Sequence, residues 1–396
     1  MRPLPLILLA TTVTLGAQTA VPAGSATSAA PTATSASATA ASASTSASAL
    51  NMARTGTPLV LNPANTYTGG GPRPAPNTHG LDMRTQSGPG TGRYSPPVPV
   101  DDKLPTFWLI GDSTVRNGTP GNGSTNAPDG QWGWGAPLTF YFDPAKVNVV
   151  NRALGGTSAR SFYNGNWKNM VDLIKKGDVV IMQFGTNDGG QPASSVGELR
   201  GIGDETQAIT NRSGQPEIVH TYGWYMHQMI AATRAKGATP IICSLVPRKS
   251  WDPSGQHVNR DSNFRIFAGQ VAHAENIGFI DLNELLARKY EEIGKDKVDL
   301  LYVPTPAEAA AQGGNTRAET VHTGWDGAVV DAEVVVAALK ALKDDPVANY
   351  FSEKGKAIAP AAELPTPAPK PESPKPAANS APAPVIAPAA ASTSAN

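Results

Sequence analysis

The chain has 396 residues, with 32 lysines and arginines against 32 aspartates and glutamates, and one cysteine, Cys243. Balanced charge leaves no basic field for non-specific nucleic-acid binding. A lone cysteine excludes an intramolecular disulfide, so the fold must rest on an ordinary hydrophobic core.

In chain order, Arg2 precedes the apolar stretch Leu4 to Ala17, and Val21-Pro22-Ala23 has the small-x-small pattern of a cleavage site. Residues 1–23 therefore read as a secretory signal peptide, which predicts a secreted protein, extracellular or periplasmic. The stretch is shorter than the roughly 20 residues of a membrane span, and no later segment approaches that length, so no membrane span is expected. Residues 24–50 are almost all Ala, Ser and Thr and read as a linker. Residues 51–103 are rich in Gly and Pro, with Leu59, Val60 and Leu61 as apolar anchors, and predict an irregular surface segment.

Over 104–347 short apolar runs alternate with segments of helical spacing, as in a parallel sheet covered by helices on both faces. Candidate strands are Phe107 to Ile110, Val147 to Val150, Val179 to Phe184, Pro240 to Val246 and Phe279 to Asp281. Candidate helices are Trp167 to Lys176, Thr221 to Lys236, Ser262 to Asn276, Leu282 to Ile293 and Asp326 to Leu342. Lys236-Gly237, Asn276-Ile277-Gly278 and Ile293-Gly294 look like helix ends. Tyr222, Tyr225, Met226, Met229 and Ile230 fall on one helical stripe, which predicts core packing. Cys243 lies inside an apolar run, where a buried thiol competes with a nucleophile and is favoured. No internal repeat is visible, so this is one domain. Residues 348–396, dominated by Pro, Ala and Ser from about Ala357, read as a tail.

In such a sheet the loops leaving the carboxyl ends of the strands converge on a crevice. Those loops carry Gly111-Asp112-Ser113-Thr114, Leu154-Gly155-Gly156-Thr157-Ser158-Ala159-Arg160 and Gly185-Thr186-Asn187-Asp188-Gly189-Gly190, and Glu319-Thr320-Val321-His322-Thr323 precedes the last helix. Together they hold a hydroxyl, an imidazole, carboxylates and amide donors, which is what ester cleavage by a nucleophilic serine requires. Taken singly each has a plainer reading. Gly-Asp-Ser suits a turn, the paired glycines a tight bend, Asn187 an Asx-turn, and Thr323 a helix cap. His220, His227, His257 and His273 lack the spacing of a zinc set. Gly121-Asn122-Gly123 and the Gly69 to Gly71 run lack the lysine and hydroxyl of a phosphate loop.

The ordered combination Gly111-Asp112-Ser113, Gly156, Gly185-Thr186-Asn187-Asp188 and His322 resembles the successive blocks of the GDSL or SGNH hydrolases. Trp132-Gly133-Trp134-Gly135, Asn151-Arg152-Ala153, Ser158-Ala159-Arg160-Ser161-Phe162 and His322-Thr323 bring it nearest to the rhamnogalacturonan acetylesterases of that superfamily. The resemblance, over about Thr106 to Leu342, implies a flavodoxin-like three-layer α/β sandwich with a parallel five-stranded sheet. It also implies Ser113 as nucleophile, His322 as base, and an oxyanion hole from the Ser113 and Gly156 N–H groups with the Asn187 side chain. Glu319 stands where the family usually has Asp, three residues before the His. It is the expected orienting carboxylate, with a backbone carbonyl or Asp326 as alternatives. No cofactor or metal is implied. The implied substrate is an acetylated polysaccharide, expected to be pectic rhamnogalacturonan. An acetylxylan esterase or small-ester lipase is the alternative, and a non-catalytic polysaccharide-binding protein a further one. Arg160, Arg248 and Lys249 are candidates to meet galacturonate, and Trp251 to stack on a sugar. Oligomeric state is left open.

Overall fold

The computed structural model describes residues 96–118, 130–261, 263–303 and 319–366. The expected signal peptide, the linker, most of the irregular segment, the two glycine runs at Gly69 to Gly71 and Gly121 to Gly123, Ser262, and the chain beyond 366 lie outside these residues.

The strands are β1 (Thr106–Gly111), β2 (Asn148–Asn151), β3 (Val179–Gln183), β6 (Thr239–Cys243) and β7 (Gly278–Ile280). They form one parallel sheet in the order β2-β1-β3-β6-β7. Every residue of β1 and β3 is buried, as central strands covered on both faces must be. Alternate side chains divide the core in two. Trp108, Ile110, Val180, Met182 and Ile242 pack with Phe162, with the stripe Tyr222, Tyr225, Met226, Met229 and Ile230, and with Phe264, Phe267, Ala268 and Val271. These come from α2 (Ala159–Asn164), α3 (Tyr222–Ala235) and α4 (Phe264–Ala274). The opposite face takes α1 (Gly135–Leu138), α5 (Leu282–Ile293), which the short α6 (Lys295–Asp299) follows, and α7 (Trp325–Ala341), with Phe107 meeting the rings of Phe142 and Tyr350 edge-on. The result is the expected three-layer α/β sandwich. Cys243 is fully buried in β6 and burial pushes its thiol pKa up, so it is a core residue.

Three expectations need correcting. The segment from Trp167 to Lys176 is not an α-helix but two 3-10 turns, Asn166–Asn169 and Val171–Leu173. Trp167, Met170 and Ile174 are buried, at spacings of three and four that short 3-10 turns can present to the core as well as an α-helix can. The regular helix in this region is the shorter α2, held by a capping box between Ser158 and Ser161. Between β3 and α3 lies an unforeseen antiparallel hairpin, β4 (Thr206–Thr210) with β5 (Pro216–His220), closed by a turn in which Gly214 has φ +77°. Its polar, mostly exposed residues gave no period-two apolar signal.

The third correction concerns the tail. Residues 348–366 pack on the domain: a 3-10 turn over Ala348–Tyr350 leads into Phe351 and α8 (Glu353–Ala357). Phe351 is buried and stacks on Phe142 at 5.1 Å, and Ser352 Oγ donates to Phe140 O at 2.8 Å. Lys340 Nζ donates to the carbonyls of Gly355 and Lys356, and Ala361 N–H to Ala337 O. Compositional bias misled here because one aromatic anchor outweighs the polar residues around it. Phe351→Ala is therefore expected to cost about 3 kcal/mol of unfolding free energy in denaturant titration, where a solvated tail residue would cost nothing measurable.

Candidate functional site

Gly111 ends β1 beside Gln183 of β3. The approach is close: a Cβ on Gly111 would lie 2.6 Å from Gln183 O and 2.7 Å from Val115 Cγ2. The chain then turns, Val115 and Arg116 N–H both donating to Asp112 O, and Ser113 stands at the bend, 7% exposed. Asp112 supports the turn from below, its Oδ1 accepting the Thr114 N–H at 2.7 Å and the Thr114 hydroxyl at 2.8 Å. Burial raises the Asp112 pKa, and the Thr114 donors work against that. Thr114 Oγ1 in turn accepts from Gln183 Nε2 at 2.6 Å, and Gln183 Oε1 accepts from Trp134 Nε1 at 2.6 Å. A buried relay thus ties the serine turn to β3 and to the Trp-Gly-Trp-Gly stretch.

The structure brings Ser113, His322 and Glu319 together. Ser113 Oγ lies 2.8 Å from His322 Nε2, and His322 Nδ1 lies 3.1 Å from Glu319 Oε2. Both ring nitrogens are thus engaged, one by the hydroxyl and one by the carboxylate. Glu319 Oε1 accepts the N–H groups of Thr320 and Val321, each at 2.8 Å. Burial opposes ionisation of Glu319, but His322 and these two N–H groups outweigh it and hold the carboxyl at about 2. The extra methylene relative to aspartate is absorbed by the carboxylate folding back onto its own backbone. Thr323 does not cap α7, whose N-cap is Gly324; its hydroxyl donates to Trp132 O at 2.9 Å, and Trp132 N–H donates back to Thr323 O. The histidine loop is thereby pinned to the same stretch that braces the serine turn.

Gly156 sits in the loop after β2 with φ +77° and open space where a side chain would be, a conformation that favours glycine. Among the described residues neither the Gly156 nor the Ser113 N–H has a protein acceptor. Asn187 is not in an Asx-turn; its Nδ2 reaches across to Thr157 O at 3.0 Å, leaving the second amide hydrogen free of described acceptors. The arrangement offers amide donors beside a hydroxyl that is hydrogen-bonded to an imidazole.

Beneath these loops lie two residues whose part the sequence did not disclose. Asp188 is fully buried, accepting Ala159 N–H at 2.9 Å and Gly185 N–H at 2.8 Å, so it joins the Asn187 loop to the start of α2. Glu198 Oε2 accepts the next N–H of that helix, from Arg160. Burial pushes Asp188 up to about 6 and Glu198 well above its ordinary value, the two carboxyls repelling when both are charged. Glu198 lies outside every recognisable block, and only the tertiary fold brings it here.

Two of the three basic residues expected to face a substrate do not. Arg160 is buried, donating to the carbonyls of Pro192 and Ser194 and to Glu217 at 2.9 Å, and serves as a bolt between α2 and the hairpin. Lys249 is buried beside Asp299 at 2.9 Å and over the Tyr302 ring, while its N–H donates to Thr320 O. Arg248 is exposed, and Trp251 is partly exposed in a bridge with Val258. Among the described residues no cluster of His, Cys, Asp and Glu forms a metal set, and no helix is long and apolar enough to cross a membrane.

Because the raised carboxyls favour protonation in the fold, they stabilise it at low pH, and that contribution falls as pH rises past the unfolded value near 4 and through the folded ones. Glu198→Gln keeps an acceptor for Arg160 and removes one ionisation. Thermal unfolding should show wild type losing more stability than this variant between about pH 5 and pH 8, by roughly 1 kcal/mol or more. Parallel profiles would show that the pair does not titrate with folding.

A model of the GDSL-like lipase/acylhydrolase family matches residues 109–301, a span that contains Ser113, Gly156 and Asn187 and ends before Glu319 and His322. The chain is 30% identical over 217 residues to a rhamnogalacturonan acetylesterase of Emericella nidulans, covering 54% of this chain and 82% of that one. It is 33% identical over 193 residues to the Bacillus subtilis protein named "Probable rhamnogalacturonan acetylesterase YesY", covering 48% and 76%. Among solved structures it is similar to the Bacillus subtilis protein YxiM, with 28% identity and a TM-score of 0.46, covering 60% of this chain and 56% of that one. With the motifs, the five-stranded parallel sheet, the family model and the two acetylesterase relatives in agreement, the chain belongs to the GDSL-like lipase/acylhydrolase family and is an ester hydrolase of the SGNH type.

Proposed function

We propose that the protein is a secreted carbohydrate esterase that removes O-acetyl groups from rhamnogalacturonan through an acetyl-enzyme. The observation that carries the chemistry is the continuous contact from Ser113 Oγ to His322 Nε2 and from His322 Nδ1 to Glu319. Ser113 Oγ attacks the acetyl carbonyl carbon as His322 Nε2 takes its proton. The negative oxygen that develops is met by the N–H groups of Ser113 and Gly156 and by the Asn187 amide. Collapse breaks the bond to the sugar oxygen, which receives the proton from His322. Water then attacks the acetyl-serine, giving its proton to His322, and release of acetate returns that proton to Ser113. Glu319 fixes the tautomer and stabilises the imidazolium in both halves. No step calls for a cofactor.

The choice of polysaccharide is supported by the names of the two relatives, and the secreted setting by the N-terminal signal pattern. Acetate release from acetylated rhamnogalacturonan, acetylated xylan and a neutral aryl acetate tests both halves of the reading. The specificity constant should be highest on rhamnogalacturonan, and equal or better rates on xylan would transfer the activity to that polymer. Ser113→Ala should abolish release on all three while leaving the fold intact; a tenth of wild-type turnover would exclude Ser113 as nucleophile.

Glu319→Gln should lower turnover on the aryl acetate by about a hundredfold or more, with Glu319→Asp retaining much more. Near-wild-type turnover in the glutamine variant would remove Glu319 from the relay.

A further inference from the structure

Arg116 follows Ser113 by three residues, and its side chain folds over the loop after β2. Its Cζ, Nε and Nη1 atoms lie 3.2, 3.2 and 3.3 Å from the point a Cβ on Gly155 would occupy, so the guanidinium plane rests flat on that glycine. Any larger residue at 155 would displace it. The neighbouring residue is Gly156, and both glycines are exposed, which puts the guanidinium at the rim of the crevice, next to an amide proposed to face the oxyanion.

Among the described residues Arg116 has no ion pair and no side-chain hydrogen bond, although Arg160, Arg260, Arg265 and Arg288 are all paired with carboxylates. Its Nε is buried without a partner. For the outer nitrogens no acceptor is present among the described residues, and the side chain as a whole is partly exposed. Asp112 is the carboxylate near enough to influence it electrostatically, yet the two make no ion pair. A partly exposed guanidinium without an ion pair among the described residues has the geometry to take a planar, bidentate anion from outside the protein.

We propose that Arg116 is a specificity-determining residue that binds a carboxylate of an acidic glycan, a uronate close to the acetylated position. The proposal rests on the acetylesterase reading for the ester half of the substrate and adds the acidic half. It accounts for a feature the relay does not use, a guanidinium held over the Gly155 loop with no ion pair among the described residues. It also supplies the cationic contact that Arg160 and Lys249, both buried and paired, cannot make. A carboxylate seated there would bind both before and during acyl transfer, so its contribution belongs chiefly to KM.

The test uses the whole chain as wild type, Arg116→Gln and Arg116→Lys. Specificity constants are measured on acetylated rhamnogalacturonan oligosaccharides and on acetylated xylo-oligosaccharides, and the readout is their ratio, which cancels any loss common to both. Arg116→Gln should lower the ratio of acidic to neutral substrate by about tenfold or more, mainly through KM, with Arg116→Lys recovering part of it. Added salt should lower the ratio in wild type and leave the glutamine variant unmoved. An unchanged ratio, including an equal loss on both substrates, overturns the proposal and leaves Arg116 a structural partner of the Asp112 turn. Inhibition of aryl-acetate hydrolysis by unacetylated oligogalacturonate separates the two readings. If wild type fails to deacetylate rhamnogalacturonan but the inhibition weakens in Arg116→Gln, the polymer assignment falls and the carboxylate site stands. If rhamnogalacturonan is cleaved and neither ratio nor inhibition moves, the site falls and the activity stands.

Discussion

The parallel pairing of β1 with β3, in register so that Gly111 lies beside Gln183, is the constraint on which the site depends. Parallel strands send their loops out at the same edge, so the turn bearing Ser113 and the loop bearing Asn187 emerge side by side. The register also aligns one buried glutamine to serve both sides. Gln183 donates to Thr114 next to the serine and accepts from Trp134, whose stretch holds the histidine loop through Trp132 and Thr323. Shifting that strand by one residue would turn Gln183 to the other face and break the relay. Packing holds the register, since Trp108, Ile110, Val180 and Met182 all lose their places together.

Electrostatically the site separates its carboxylates into two kinds. Asp112, Asp188 and Glu198 are buried under the loops, and desolvation raises all three. Their work is done by accepting backbone N–H groups, which shapes the serine turn, the Asn187 loop and the start of α2. Glu319 is partly exposed and touches His322, and it stays charged far below neutral pH. Only a carboxylate of this second kind can stabilise an imidazolium. The arginines divide as well: Arg160 is a buried structural bolt, whereas Arg116 has no ion pair among the described residues.

The loops are held from outside as well as from below. Lys249 N–H donates to Thr320 O, and its ammonium pairs with Asp299, so the loop after β6 braces the segment carrying Glu319. On the opposite face of the sheet, Phe351 and Ser352 close over Phe140 to Phe142, and the domain reaches past the point where its composition turns biased.

The sequence by itself determined the layers, and it carried the short blocks from which the proposed reactive pair is read. Apolar runs with helical segments between them marked each strand of the sheet to within a few residues, because buried central strands and amphipathic helices leave strong periodic signals. Ser113, Gly156, Asn187 and His322 could be singled out because the chemistry proposed for them demands fixed residue types in short blocks. Glu319 was legible as a carboxylate at the right spacing, although the reach of its longer side chain had to be seen. What only the tertiary structure decided was every role set by a distant neighbour. Glu198, Arg116, the hairpin and the packing of Phe351 carry no local pattern. A single apolar or charged residue acquires its burial and its partner from segments far away in the chain. Arg160 and Lys249 show the converse, being basic residues on loops, as the sequence said, whose charges the fold had already matched with Glu217 and Asp299. Charge is written in the sequence, but whether it faces solvent, a partner or a substrate depends on desolvation, and desolvation exists only once the chain has folded.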